Sequence, residues 1–217
     1  MTFDDIKNNK EITTYIEQAD KYLKAIGYTE HSFSHVGRCV KVVDYILGEL
    51  GYDEHTKELA KIAAYMHDIG NVINRDDHAK SGALMAFRLL DKAGMETQDI
   101  AQIISAIGNH DESSAYPVNI ISSALIIADK TDVRRTRVRK NIKDFGIHDR
   151  VNYAVESSRV IVSKEEKLIT LKLTIDTSIS SIMDYFEIFL SRMMLCKKAS
   201  EFFDCTFRLL INEQSLL

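Results

Sequence analysis

From the first residues to about residue 139, apolar side chains recur at intervals of three and four, with short polar stretches between the segments. This spacing puts the apolar side chains on one face of a helix. It predicts helices at residues 3–26, 31–48, 54–68, 78–93, 97–109 and 118–133. Gly27, Gly51, Gly70 and Gly94 stand where the ends of these helices are expected.

The pattern changes after about residue 150. Leu171, Leu173 and Ile175 alternate with polar residues, which is the two-residue period of a strand. Residues 158–163 are its predicted hairpin partner, residues 179–199 return to helical spacing, and residues 203–211 are a last predicted strand. We therefore expect a mainly α protein, with a helical domain at 1–145 and a β-β-α-β extension at 150–217 packed on it.

The composition narrows the range of possible functions. Apolar residues are 45% of the 217 positions and charged residues 28%, a balance typical of a globular protein. The net charge of −4 argues against a nucleic-acid partner, because phosphate affinity requires a positive excess. The sequence has no apolar run long enough for a membrane helix, an acidic start, and three cysteines without a paired motif, so we expect a cytoplasmic protein.

Histidines and aspartates occupy the apolar faces of several predicted helices. A single inward histidine is usually a hydrogen-bonded core residue, but a buried carboxylate such as Asp129 needs a cation or several donors. Because such residues occur on successive helices, shared metal ions are the more economical interpretation. The candidate ligands are His35, His67, Asp68, His78, His110 and Asp129.

The doublet His67-Asp68, with His35 before it and Asp129 after it, resembles the signature of the HD-domain (His-Asp) metal-dependent phosphohydrolases. The resemblance implies an HD-like helical bundle in which these four residues hold one divalent ion. His78 and His110 resemble the extra histidines of the binuclear branches, where Asp68 would bridge two ions. The segment after His110 lacks the second histidine and the glycine of the cyclic-dinucleotide branch, which argues against that substrate.

The donor set also indicates which cofactor to expect. Imidazole and carboxylate ligands without a thiolate suit transition metals better than Mg²⁺ or Ca²⁺. We expect one or two divalent ions, with Mn²⁺ or Fe²⁺ favoured and Zn²⁺, Co²⁺ or Ni²⁺ also compatible. Two such ions would activate a water and stabilise the charge of a phosphoryl group under attack.

Basic residues near the predicted cluster suggest a phosphorylated small-molecule substrate. The candidates for substrate binding are Arg134, Arg135, Arg137 and Arg139, although a solvated basic stretch would have the same composition. Catalytic roles are predicted for Asp68 at the metal centre, Lys80 and Lys130 as nearby cations, and His31 as the proton donor to the leaving oxygen.

Two functions remain open on this basis. The first is a metal-dependent phosphohydrolase that cleaves a phosphomonoester or phosphoanhydride of a nucleotide-like molecule through a metal-activated water. The alternative is a non-catalytic, nucleotide-sensing HD module that uses the C-terminal unit for homodimerisation or partner binding. A second doublet, His148-Asp149, lies outside the matched motifs, and a contact with substrate or at an interface is the role predicted for it.

Overall fold

The computed structural model describes residues 1–112 and 115–216. Eight α-helices precede the first strand in this part of the chain: Phe3–Lys7 (α1), Lys10–Ala25 (α2), Phe33–Leu50 (α3), Glu54–Met66 (α4), His78–Lys92 (α5), Thr97–Gly108 (α6), Ile120–Lys130 (α7) and Ile147–Ala154 (α8). The remaining elements are Val155–Ser163 (β1), Leu168–Ile175 (β2), Ile182–Glu201 (α9), Thr206–Ile211 (β3) and Gln214–Ser215 (β4). Short 3₁₀ turns occupy Ile69–Val72, Arg135–Arg137 and Ile142–Asp144.

The mainly helical fold expected from the sequence is confirmed, but one predicted helix is divided in two and one observed helix was not predicted. The predicted helix at 3–26 is broken, because the Asn9 side chain accepts hydrogen bonds from the amides of Glu11 and Ile12 and so begins a new helix. Helix α8 was not predicted, since an eight-residue segment offers too few apolar positions to reveal a period.

The core of the helical part is formed by α3, α4, α6 and α7, which pack against one another. Their apolar stripes supply fully buried side chains such as Ile46, Ile62 and Ile103. Each buried side chain of this size stabilises the fold by about 1.5–3 kcal/mol. These four helices therefore form a rigid frame, and α5 closes it by packing against α6.

Gly70 allows the first 3₁₀ turn to lie directly against α5. A Cβ atom at this position would lie 2.0 Å from the carbonyl oxygen of His78 and 2.5 Å from the amide nitrogen of Gly82. The glycine is therefore required by close packing, and helix α4 already ends at Met66. This contact fixes the start of α5 beside the residues that follow α4.

The C-terminal part has the predicted β-β-α-β order, followed by the two-residue strand β4. Strands β1 and β2 pair antiparallel, β2 and β3 pair parallel, and α9 connects the parallel pair. Helix α9 begins with a capping box formed by Ser181 and Asp184, and it packs on α7. Buried apolar residues of both parts belong to one cluster, and the boundary between the two predicted domains stays a prediction.

The lengths and apolar character of the helices bear on whether the chain crosses a membrane. Within residues 1–112 and 115–216, no helix is both long enough and apolar enough to cross a bilayer.

Candidate metal centre

Three histidines are oriented by the same kind of hydrogen bond to the backbone. In each, Nδ1 lies within hydrogen-bond distance of the carbonyl oxygen three residues earlier, at 2.8 Å for His67, 3.0 Å for His78 and 2.6 Å for His110. A carbonyl oxygen can only accept, so Nδ1 carries a proton, and in the neutral imidazole the lone pair lies on Nε2. All three side chains therefore present a metal-binding nitrogen toward the interior.

Asp68 lies between two pairs of imidazoles, His35 with His67 and His78 with His110. Its Oδ2 is 3.3 Å from Nε2 of His67 and 3.7 Å from Nε2 of His35. Its Oδ1 faces the other side, at 3.5 Å from Nε2 of His78 and 4.0 Å from Nε2 of His110. Oδ2 is buried and has no hydrogen-bond partner among the residues that the structure describes. A buried carboxylate oxygen without a donor is costly, which suits an oxygen that binds a cation.

Asp129 completes the side of the cluster that contains His35. Its Oδ1 lies 3.4 Å from Nε2 of His35 and 3.8 Å from Nε2 of His67. Its Oδ2 pairs with Nζ of Lys130 at 2.7 Å, and the Lys130 side chain is buried. The lysine therefore holds one oxygen of Asp129 and leaves the other facing the imidazoles.

The protonation states of three predicted ligands, Asp68, Asp129 and His110, favour metal binding, whereas the pKa of His35 is raised well above its ordinary value. Burial opposes the charge of Asp68, yet the neighbouring His67 holds the pKa of this carboxyl well below its ordinary value. The pKa of Asp129 is likewise held well below its ordinary value, against the effect of burial, by Lys130 and His35. Burial and the nearby His67 lower the pKa of His110 to about 3. Two carboxylates and a neutral imidazole are thus present at neutral pH.

The structure brings the six predicted ligands into one buried cluster, but it separates the predicted basic residues. Lys130 lies within the cluster, whereas Lys80 is exposed and pairs with Asp77 at 2.8 Å on the outside of α5. Lys80 therefore does not reach the ligands. His31 lies at the edge of the cluster, with its ring centroid 5.4 Å from that of His35.

The four predicted arginines diverge as well. Arg137 is buried and donates to the carbonyl oxygens of Glu30 and Asp132, with one face toward a cavity described below. The other three have partners elsewhere. Arg134 pairs with the Glu30 carboxylate, Arg135 donates to the carbonyl of Tyr153, and Arg139 pairs with Asp20. These three arginines contact other parts of the protein and do not line the cavity.

A cavity of about 430 Å³ adjoins the cluster at His31. Its basic walls come from Arg75, Arg137, Lys140 and Arg192, and Tyr28, Ile147 and His148 also line it. Arg75 links the cavity to the second histidine pair, because its Nη1 lies 3.3 Å from Nε2 of His78. A volume of this size is typical of small-molecule sites.

Sequence reasoning missed several residues around the ligands. Asn71 donates from Nδ2 to Oδ1 of Asp68 at 2.9 Å, and Asp132 contacts Nδ1 of His35 at 2.7 Å. Cys39 has its Sγ 3.8 Å from Nε2 of His35, and burial raises the pKa of its thiol. Asn71 and Asp132 lie three residues after the ligands Asp68 and Asp129. That short spacing is the signal that could have found them.

Residues 32–137 match the HD domain family. The chain contains an HD domain. The match begins just before α3 and ends in the 3₁₀ turn at Arg135–Arg137, so it includes all six predicted ligands. HD domains bind divalent metals, and the buried His/Asp cluster of this one could hold an ion.

Known proteins that are similar to the chain include a curated relative and a solved structure. An uncharacterized protein of Methanocaldococcus jannaschii is 24% identical over 172 residues, which cover 68% of this chain and 66% of that relative, just under two thirds. A crystal structure from an uncultured Thermotogales bacterium, described as a predicted HD superfamily hydrolase, has a TM-score of 0.45 and 27% identity. The similarity covers 58% of this chain and 68% of that one.

Proposed function

We propose that this HD-domain protein is a metal-dependent phosphohydrolase acting on a phosphomonoester or phosphoanhydride of a nucleotide-like small molecule. The observation that carries the proposal is the two-sided position of Asp68. One of its oxygens faces His67 and the other faces His78, at 3.3 and 3.5 Å from their Nε2 atoms. A carboxylate in that position suits a bridge between two cations.

The residues present fit such ions. His35, His67, Asp68 and Asp129 would hold a first ion, and Asp68, His78 and His110 would hold a second. The fit rests on the partnerless Oδ2 of Asp68 and on histidine Nε2 atoms whose Nδ1 atoms are already engaged. When bound, ions of this class acidify a water and stabilise negative charge on phosphoryl oxygens.

Side chains of this chain would bind the phosphoryl group and move protons. Arg75 and Arg137 face the cavity next to the ligands and are suited to phosphoryl oxygens. His31 contacts the Thr29 carbonyl through Nδ1 at 2.8 Å, so its Nε2 is unprotonated. Burial and Arg137 hold the pKa of His31 well below its ordinary value, so the neutral imidazole dominates at pH 7, and the proton-donor role expected from the sequence stays a prediction.

Metal analysis combined with phosphatase assays tests the proposal. The purified protein should contain stoichiometric transition metal and hydrolyse p-nitrophenyl phosphate or a nucleotide with Mn²⁺, Fe²⁺, Co²⁺, Ni²⁺ or Zn²⁺. Asp68→Asn should lose metal and activity together. Asp99→Asn is a matched control, because Asp99 pairs with His55 at the surface.

The alternative, a nucleotide sensor, makes the opposite prediction for the same protein. A nucleotide that raises the melting temperature and is never turned over, with any of these metals, would support the sensor. Full activity in the Asp68→Asn variant would also contradict the proposed mechanism.

A further inference from the structure

Helix α9 contributes a cation to the cavity from outside the HD domain. Arg192 lines the cavity, and its Nε pairs with Oε1 of Glu112 at 2.5 Å. Its guanidinium lies 4.3 Å from the centroid of the Phe189 ring. These two contacts hold the side chain in place, so the C-terminal unit forms part of the cavity wall.

Lys140 and His148 also line the cavity and lie outside the residues that match the HD domain. Lys140 contacts Oδ2 of Asp149 at 2.8 Å, and the same oxygen accepts the amide of Gly146 at the start of α8. His148 lies on α8, with its ring 6.1 Å from that of Phe189. Burial and the charge of Arg192 lower the pKa of His148, so its imidazole is a neutral hydrogen-bonding group at pH 7.

More basic side chains line the cavity than one phosphoryl group would contact, and the two distal ones each have a carboxylate partner, Asp149 for Lys140 and Glu112 for Arg192. Four basic side chains and one carboxylate line it, and its histidines are neutral at pH 7. Arg75 and Arg137 are the two that contact the cluster or its immediate support, through His78 and the Asp132 carbonyl. A phosphoryl group at the ligands would engage these two arginines. Lys140 and Arg192 would still face the cavity.

We infer that Lys140, His148 and Arg192 form a distal anion site for a second phosphoryl group of the substrate, one that is not cleaved. The inference rests on the proposed function and narrows its substrate class to doubly phosphorylated small molecules. Tyr28 and Ile147 line the same cavity and offer apolar surface to the organic part of the substrate. A guanidinium is well suited to phosphate, because its planar donors match two phosphate oxygens.

Inhibition constants test the distal site. Adenosine 5′-monophosphate, adenosine 5′-diphosphate and adenosine 3′,5′-bisphosphate are compared as competitors of p-nitrophenyl phosphate hydrolysis by the metal-loaded protein. At least one doubly phosphorylated nucleotide should bind about tenfold more tightly than the monophosphate. Arg192→Gln should remove that advantage and leave the inhibition constant of the monophosphate within about twofold.

Two controls keep the result interpretable. Arg88→Gln removes an arginine that pairs with Glu11 at the surface, and it should retain the full preference. Lys140→Gln provides a second test of the distal site if the Arg192 variant has a lower melting temperature or metal content.

The outcomes separate the inference from the proposed function. Equal inhibition by all three nucleotides, or an equal loss for all three in Arg192→Gln, would overturn the distal site while hydrolysis continues. If the protein hydrolyses nothing with any metal, the proposed function fails. Calorimetric titration with the same three nucleotides would then decide, since equal affinities would also overturn the distal site.

Discussion

Nδ1 of His35 lies 2.7 Å from Oδ2 of Asp132, and neither side chain is exposed to solvent. Burial opposes the charge of Asp132, yet the hydrogen bond from His35 and the nearby Arg137 hold the pKa of this carboxyl well below its ordinary value. The contact fixes the imidazole with Nε2 toward Asp129. Asp132 therefore positions the predicted ligand His35, as carboxylates behind metal-binding histidines commonly do.

Replacing Asp132 should weaken metal binding. Asp132→Asn is expected to lower affinity about 10–100-fold, because the carboxylate that orients His35 and raises its basicity is lost. Competition with a chromogenic chelator measures the affinity. Arg38→Gln is the matched control, since it removes a 3.1 Å contact to Asp132 without touching His35. A lower melting temperature with unchanged metal affinity would contradict the positioning role.

The close packing at Gly70 should make this position intolerant of any side chain. Gly70→Ala is expected to lower the free energy of unfolding by about 3 kcal/mol or more, since the methyl group would meet backbone atoms. Gly48→Ala is the control: no atom from outside its own stretch of α3 lies within 4 Å of its Cβ position, and alanine should stabilise the helix by up to about 1 kcal/mol. Urea denaturation measures both, and equal effects would disprove the packing argument.

Arg75 should compete with the second ion. Its Nη1 lies 3.3 Å from Nε2 of His78, the nitrogen that the second ion would use. Arg75→Gln removes this cation and should tighten the second step of Mn²⁺ binding about tenfold in calorimetric titrations. Arg88→Gln, at the surface, should bind as the wild type does. An unchanged or weaker second step in Arg75→Gln would show that the guanidinium does not compete.

His110 should make the metal-free protein less stable in acid. Its pKa is about 3 in the folded state against an ordinary value of 6.5, so the unfolded chain binds the proton first as pH falls. The stability that neutral His110 contributes is complete above pH 6.5 and is lost as pH falls toward 3. The slope from this group is at most about 1.4 kcal/mol per pH unit.

Denaturation of the chelator-treated protein at pH 7 and pH 5 measures this slope. His110→Gln should have a smaller loss between the two pH values than the wild type, whereas His55→Gln, an exposed histidine, should not differ from it. The difference between variants is the relevant quantity, because the pKa of His35 is raised and that group titrates in the opposite sense. Identical slopes in His110→Gln and the wild type would contradict the prediction.

The sequence predicted the candidate site best where a helical apolar period contained histidine or aspartate residues. Apolar spacing located the helices that carry His35 and Asp129, and it also located α4, which the doublet His67-Asp68 follows directly. The break at Asn9 was invisible to periodicity, because the apolar positions continue through it while the side-chain cap interrupts the backbone. Composition alone could not reveal a cap of this kind.

The cavity was much harder to predict than the ligands. The basic stretch after Asp129 suggested substrate contacts, yet Arg134 and Arg139 instead pair with Glu30 and Asp20. A local run of charge does not reveal the direction of each side chain. Nothing in the sequence around Arg192 indicates that it lines the cavity, because only the packing of α9 against α7 brings it toward the cluster.

Because Arg192 and the six predicted metal ligands lie on different stretches of the chain, selection can act on them separately. Mutations in α9 would change the substrate preference during evolution, while metal binding by the helical part would stay unchanged. Relatives that keep residues equivalent to 32–137 and differ in their C-terminal units should therefore share a reaction type and diverge in what they accept. Swapping the region after Gly146 between two such relatives would exchange their preferences.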